Sequence, residues 1–278
     1  MENHNNQKKI AVINDISGFG RCSIAVSMPI ISHMKIQCCP VPTSIFSNHT
    51  GFESFYFHDY TDCMQEYIDN WKKLGLRFDG IMTGFLGSKK QIDIVKKFIN
   101  DFKDENTTVI VDPAMGENGK AYPTYTKEMC DEMKKLVEYA DIITPNVTEC
   151  CMLTDTPYKD EGWTKKELCD MVRKLKNSGA DKIVVSGVRM GQYVGNVVLD
   201  EDKEPEIIKY KKIGEYRSGT GDIYSAIIAC DSVNGRNFKD SVGKAARFVK
   251  KSIEASIKLD IPMTDGLAFE EVLYSLKI

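Results

Sequence analysis

The chain has 278 residues, 42% hydrophobic and 28% charged, enough for a sizeable α/β core. With 37 basic and 40 acidic residues the net charge is -3, and no basic block exceeds a few residues, which argues against a nucleic-acid or membrane partner. No run approaches the roughly 18 apolar residues of a membrane span. Met1–Lys9 is too polar for a signal peptide, and nine cysteines without metal or disulfide spacing read as reduced thiols in a cytoplasmic protein.

Taken in chain order, Lys9–Asn14 predicts a short apolar strand ending in a polar turn over Asp15–Gly20, and Cys22–Met34 a helix. Ile36–Val41 is a second strand and Thr61–Leu74 has helical spacing. Gly80–Gly84 reads as a buried strand running into a loop, and Ser88–Phe102 as an amphipathic helix with Ile92, Val95 and Ile99 on one face. Thr107–Val111 is a β-branched strand closed by Asp112-Pro113, and Lys127–Tyr139 is helical. Asp141–Thr144 is a strand stopped by Pro145-Asn146, with a short helix after it. Lys165–Asn177 is a helix and Lys182–Ser186 a strand. Gln192–Leu199 and Ile207–Ile213 form an expected antiparallel pair, and Asp222–Val233 and Phe238–Ser256 are helices. Strands alternating with helices imply a mostly parallel sheet covered on both faces. One domain over residues 1–278 is expected, with residues 1–8 a disordered tail.

Polar residues and glycines gather after the strands, where open parallel sheets bind ligands. The richest cluster is Ser218-Gly219-Thr220-Gly221-Asp222, opening the apolar helix Ile223–Cys230. First-turn amides lack internal partners and sit at the positive end of the helix dipole, so such a turn can hold phosphate oxygens. Asp222 could take a proton from a substrate hydroxyl there. No Gly-Lys-Ser/Thr follows, so this is not a Walker A loop. Asp112, fixed by Pro113, could hold a metal. Thr144-Pro145-Asn146-x-x-Glu149 groups a hydroxyl, an amide and a carboxylate within one turn. Glu149 could reach magnesium, and a capping box with Thr144 or Asn146 as cap is the compatible structural role. Ser47-Asn48-His49-Thr50-Gly51-Phe52 suits hydrogen bonding to, and stacking on, a flat ring.

On these motifs the chain resembles the pyridoxal kinases of the ribokinase-like superfamily. The likeness runs from about Lys9 to Ile257 and takes in Phe46–Gly51, Met82-Thr83-Gly84-Phe85, Asp112–Gly116, Ile143–Glu149 and Gly219–Asp222. Ser47–Gly51 is the most specific pointer to the pyridoxal branch.

The resemblance implies a three-layer α/β/α sandwich with a mostly parallel sheet and a short antiparallel extension. It implies ATP as co-substrate, Mg2+, a homodimer and phosphorylation of pyridoxal, pyridoxine or pyridoxamine; a monovalent cation requirement stays open. It makes Asp222 the general base and Gly219, Thr220 and Gly221 the anion hole. It assigns Asp112, Thr144, Asn146, Glu149 and Ser186, with Gly219 and Thr220, to ATP, and Asp112, Glu149 and Glu117 to the metal. Asn14, Asp15, Ser47, His49, Thr50 and Phe85 would meet the vitamer.

Three departures touch ring recognition and metal binding. Asn14-Asp15 stands where many relatives have serine, Phe85 where tyrosine is frequent, and Glu117 where Asp is usual. A hydroxymethylpyrimidine kinase and a non-catalytic ligand-binding protein on the same scaffold are the alternatives.

Overall fold

The alternation within the apolar runs decides the layering. In the first strand Ile10 and Val12 enter one apolar cluster while Ala11 and Ile13 enter another, as a strand covered on both faces requires. The computed structural model describes residues 3–277. It begins with β1 (Lys9–Ser17), α1 (Ser23–His33), β2 (Gln37–Phe46), β3 (Phe57–Asp59), α2 (Thr61–Lys73) and β4 (Gly80–Thr83). Then come α3 (Lys89–Phe102), β5 (Thr108–Val111), the hairpin β6 (Gly116–Glu117) and β7 (Lys120–Ala121), α4 (Lys127–Val137), β8 (Ile142–Ile143) and α5 (Val147–Thr154). The chain closes with α6 (Lys165–Lys176), β9 (Lys182–Met190), β10 (Tyr193–Asp200), β11 (Glu206–Lys211), α7 (Thr220–Val233), α8 (Phe238–Lys258) and two short 3-10 turns.

Among the described residues, nine strands form one sheet in the order β11-β10-β9-β8-β5-β4-β1-β2-β3. The neighbours from β9 through to β2 run parallel; β10, β11 and β3 join as antiparallel pairs. Helices α2 to α6 cover one face around Met64, Val95, Leu136 and Leu168. Helices α1, α7 and α8 cover the other around Ile30, Ile227 and Phe248. This is the ribokinase-like three-layer sandwich with its antiparallel extension.

Several boundaries differ from expectation. β1 continues through Asp15 to Ser17 instead of turning at Asp15, because it pairs with β2 as far as Phe46. β2 runs past Val41 through two prolines. β3 covers only Ser44–Phe46, so Pro40 and Pro42 face an open side where no amide is missed. β9 runs on through Gly187 because Val188, Arg189 and Met190 pair with β10. The β6–β7 hairpin and β3 carry too few residues for a periodic signal.

Met1 and Glu2, part of the expected tail, lie outside the described residues. Further on, Asn5 accepts from the Arg77 amide at 3.0 Å, and the Lys8 ammonium donates to the Val233 carbonyl at 2.8 Å. Among the described residues no helix is long and apolar enough to cross a membrane.

Candidate active site

The chain leaves β1 for β2 on one side and later returns to β4 on the other. Loops leaving the ends of β1 and β4 therefore diverge, and a crevice opens between them, the usual ligand position in such sheets. Asn14 stands at this point, 1% exposed. Its side-chain oxygen accepts from the amides of Phe85 (2.8 Å) and Asp15 (2.9 Å), while its nitrogen donates to Asp222 Oδ1 at 3.1 Å. A Cβ on Gly84 would lie 2.3 Å from that nitrogen, so glycine is what lets Asn14 reach across.

Asp222 is in the first turn of α7, a helix buried almost all round from Ile223 to Asp231. The packing of that apolar body presents its N-terminus to the crevice. Gly219 caps it with φ 82, and a Cβ there would meet the Arg21 carbonyl oxygen at 2.1 Å; only glycine fits. The first backbone acceptance is by the Gly219 carbonyl from Ile223, leaving the amides of Thr220 and Gly221 with no intrahelical acceptor. Burial raises the Asp222 pKa, against the Ser23 amide and the Asn14 side chain, which favour the carboxylate.

A second group of acids lines the neighbouring strand ends. Thr144 Oγ1 lies 2.8 Å from Ser225 Oγ, and Ser225 donates to Asp112 Oδ2 at 2.9 Å, so a hydroxyl chain runs from the end of β8 to the end of β5. Burial, then the Asp222 charge, raises Asp112 to about 7. Burial likewise raises Glu117 to about 7 against a Tyr216 hydrogen bond and the Arg189 charge.

Glu149 takes the capping-box role: Asn146 caps α5, and Glu149 accepts from the Asn146 amide at 2.7 Å and the Met115 amide at 3.2 Å. Burial, then Asp112, raises its pKa well above the ordinary range.

Among the described residues, Asp112, Glu149 and Asp222 have no lysine or arginine at ion-pair distance, and no three His, Cys, Asp or Glu side chains form a ready metal cluster. Buried acids without a cation fit a magnesium ion, which typically takes one or two carboxylates and completes its shell with water and substrate phosphates.

The remaining expected residues divide. Asp15 does not face the crevice freely: its carboxylate accepts from Ser23 (2.6 Å) and Ser17 (3.0 Å), and burial raises its pKa to about 6. The Cys22 thiol beside it is pushed up to about 12 by burial and by Asp15 and Asp222. Ser47 is used within its own loop, accepting from the Tyr56 amide at 2.8 Å and donating to Asn48 at 2.7 Å.

His49 Nδ1 accepts from Gly51, so Nε2 carries the proton given to the Thr264 carbonyl at 2.7 Å. Thr50 is exposed, and an open cavity of about 590 Å³ lies beside this loop, lined by Phe19, Asn48, Phe52, Glu53 and Ser54. The Phe85 ring sits between Phe46 and Tyr125, at centroid distances of 6.2 and 6.4 Å. Ser186 bridges to Asn146 next to the end of β8. Sequence reasoning missed Ser225 and Ser23. Ser225 was findable, since it lies one turn after Asp222 on the same helix face; Ser23 carried no such signal.

The sequence model of the phosphomethylpyrimidine kinase family matches residues 28–264. A pyridoxal kinase of Arabidopsis thaliana is 27% identical over 251 residues, covering 86% of this chain and 78% of that protein. A Bacteroides thetaiotaomicron protein bearing the phosphomethylpyrimidine kinase description is 35% identical in two crystal forms. The rhombohedral form has a TM-score of 0.96 and covers 100% of this chain and 96% of its own. The orthorhombic form, with pyridoxal, has a TM-score of 0.94 and covers 98% and 96%.

Proposed function

The chain belongs to the phosphomethylpyrimidine kinase family and is an enzyme of the pyridoxal kinase type, and on that premise we propose that it transfers the terminal phosphoryl group of ATP to the 5′-hydroxymethyl group of a B6 vitamer. Asp222 is the general base in this reading, and the amides at Gly219, Thr220 and Gly221 receive the transferred group. The observation that carries it is the position of Asp222: a carboxylate of raised pKa beside open helix-terminal amides, held by Asn14 at the sheet's switch point. Raising the pKa of a carboxylate makes it a stronger proton acceptor when ionised. Phosphoryl transfer otherwise needs positioning and charge neutralisation rather than covalent chemistry.

Asp112, with Glu117 and Glu149 near it, would hold magnesium, which when bound neutralises charge on the phosphate oxygens. Thr144, Asn146 and Ser186 line the nucleotide side. The vitamer ring would lie by Asn14, Phe85 and the Ser47–Thr50 loop. The pyridoxal in a relative 35% identical supports the vitamer as substrate.

A second reading, a hydroxymethylpyrimidine kinase, is favoured by the description of the matching family itself. It keeps the same base and the same hydroxymethyl chemistry. Product formation with Mg-ATP across pyridoxal, pyridoxine, pyridoxamine and hydroxymethylpyrimidine separates the two. Asp222→Ala lowers turnover by roughly 10²–10⁴-fold if it is the base; unchanged turnover removes that assignment.

A further inference from the structure

We propose that Arg217 is a positioning residue for the phosphoryl-transfer turn, and that the segment Ile261–Gly266 is a strap setting that turn against the ring-recognition loop. The inference rests on the kinase reading above and adds to it the part that holds its two halves in register.

Arg217 lies two residues before Gly219 and is 7% exposed. A buried cation is costly unless paired or fully hydrogen-bonded. Among the described residues no carboxylate stands at ion-pair distance from it. Its partners are main-chain carbonyls: Nη1 donates to Ile261 at 2.7 Å, Pro262 at 3.0 Å and Gly266 at 3.3 Å. At its other end the Arg217 carbonyl accepts from Thr220 Oγ1 at 2.7 Å, the first residue of α7. Arg217 thus joins the anion turn to the strap by side chain and to the helix start by main chain. All three bonds leave the one nitrogen Nη1, so a lysine ammonium at this position can keep part of the set.

The same strap holds the other half of the site. Thr264 accepts from His49 Nε2 at 2.7 Å, and His49 Nδ1 in turn accepts from Gly51 within the ring loop. The loop after β1 is also fastened here, through Arg21 Nη1 to the Asp265 carbonyl at 3.1 Å. Gly266, at φ 81, brings the strap flush against that loop: a Cβ would sit 2.9 Å from the Gly20 carbonyl oxygen. Three loops that border the crevice therefore end on one short piece of backbone. His49 acts on the vitamer through its loop, as a positioning residue and not a ring ligand.

Misplacing a reacting group by about 1 Å can cost on the order of 10²-fold in rate, so loosening the strap has a kinetic signature. The test uses the full chain with Arg217→Met, Arg217→Lys and His49→Ala. Amide hydrogen exchange is read without substrate, and kcat and KM are read with pyridoxal and Mg-ATP. Arg217→Met is expected to speed exchange over 217–222 and to lower kcat about tenfold or more, with pyridoxal KM changed far less. Arg217→Lys recovers part of both. His49→Ala is expected to speed exchange over 46–52 and to raise pyridoxal KM more than it lowers kcat.

Wild-type exchange and wild-type kcat in a folded Arg217→Met protein overturn the proposal. Should that variant not fold, His49→Ala decides: unchanged exchange in both the ring loop and 261–266 overturns the strap. An inactive wild type would count against the kinase reading alone, since the exchange pattern tests the strap without turnover.

Discussion

The side-chain nitrogen of Asn14 donates to Asp222 Oδ1 at 3.1 Å while its oxygen accepts the Phe85 amide at 2.8 Å. One amide therefore aligns the carboxylate on α7 with the loop leaving β4. The two residues are 208 positions apart in the chain. The ends of β1 and β4 and the start of α7 act as one unit because Asn14 touches all three.

Asn14→Ala is expected to lower kcat by roughly 10–100-fold, since a hydrogen bond to a charged group contributes about 1.5–3 kcal/mol. Asn14→Asp is expected to be worse, because it puts a second carboxylate against Asp222. Steady-state kinetics at fixed Mg-ATP check both. An Asn14→Ala enzyme with wild-type kcat would show that Asp222 is held without it.

Gly219→Ala forces an L-residue to φ 82 and drives its Cβ to 2.1 Å from a main-chain oxygen. The backbone strain alone costs about 1–3 kcal/mol, and the clash adds to it. The expected result is a lowered unfolding midpoint together with lost transfer activity. Full activity in Gly219→Ala would mean the turn rearranges freely.

Stability without ligands is expected to fall as pH rises from the carboxylate range towards 7. Burial raises Asp15 from 3.8 to about 6, Asp112 from 3.8 to about 7 and Glu117 from 4.5 to about 7. Between those limits the folded chain binds more protons than the unfolded one, so each step up in pH favours unfolding. Glu132, held at about 2 by Lys135 and Lys96, acts in the opposite sense, but its effect is complete above 4.5. Unfolding midpoints from pH 4.5 to 7.5 test this. Mg-ATP should restore stability at the upper end, and Asp15→Asn should flatten part of the slope. A midpoint that climbs steadily to pH 7 would contradict the burial of these acids.

Glu149→Ala removes the acceptor of two amides, Asn146 and Met115, at the start of α5. Loss of a capping interaction costs about 0.5–2 kcal/mol, seen in the unfolding midpoint. Glu149→Gln keeps one acceptor and is expected to be milder in stability while raising the magnesium concentration needed for half-maximal rate. A flat magnesium response would leave Glu149 a cap only.

Thr50→Val is expected to raise vitamer KM with ATP KM unchanged, since Thr50 sits exposed on the ring loop. A shift in ATP KM instead would move the ring site elsewhere.

The order of elements was legible from residue patterns because burial on two faces demands continuous apolar strands such as Ile10–Ile13 and Val109–Val111, separated by amphipathic helices. Gly219–Asp222 was legible for a local reason: a left-handed cap before an apolar helix needs glycine, and the open amides follow from helix geometry. The Asn146–Glu149 capping box was legible on the same grounds. Partners far apart in the chain were not. Neither the Asn14–Asp222 pairing, nor the Thr144–Ser225–Asp112 chain, nor the grip of Arg217 on the carbonyls of 261–266 leaves a mark in local sequence. Each depends on strand order: placing β1 between β4 and β2, with the N-terminus of α7 at their ends, decides which polar groups meet. Serine, asparagine and arginine serve equally well on a surface until that packing buries them and requires every donor to find an acceptor.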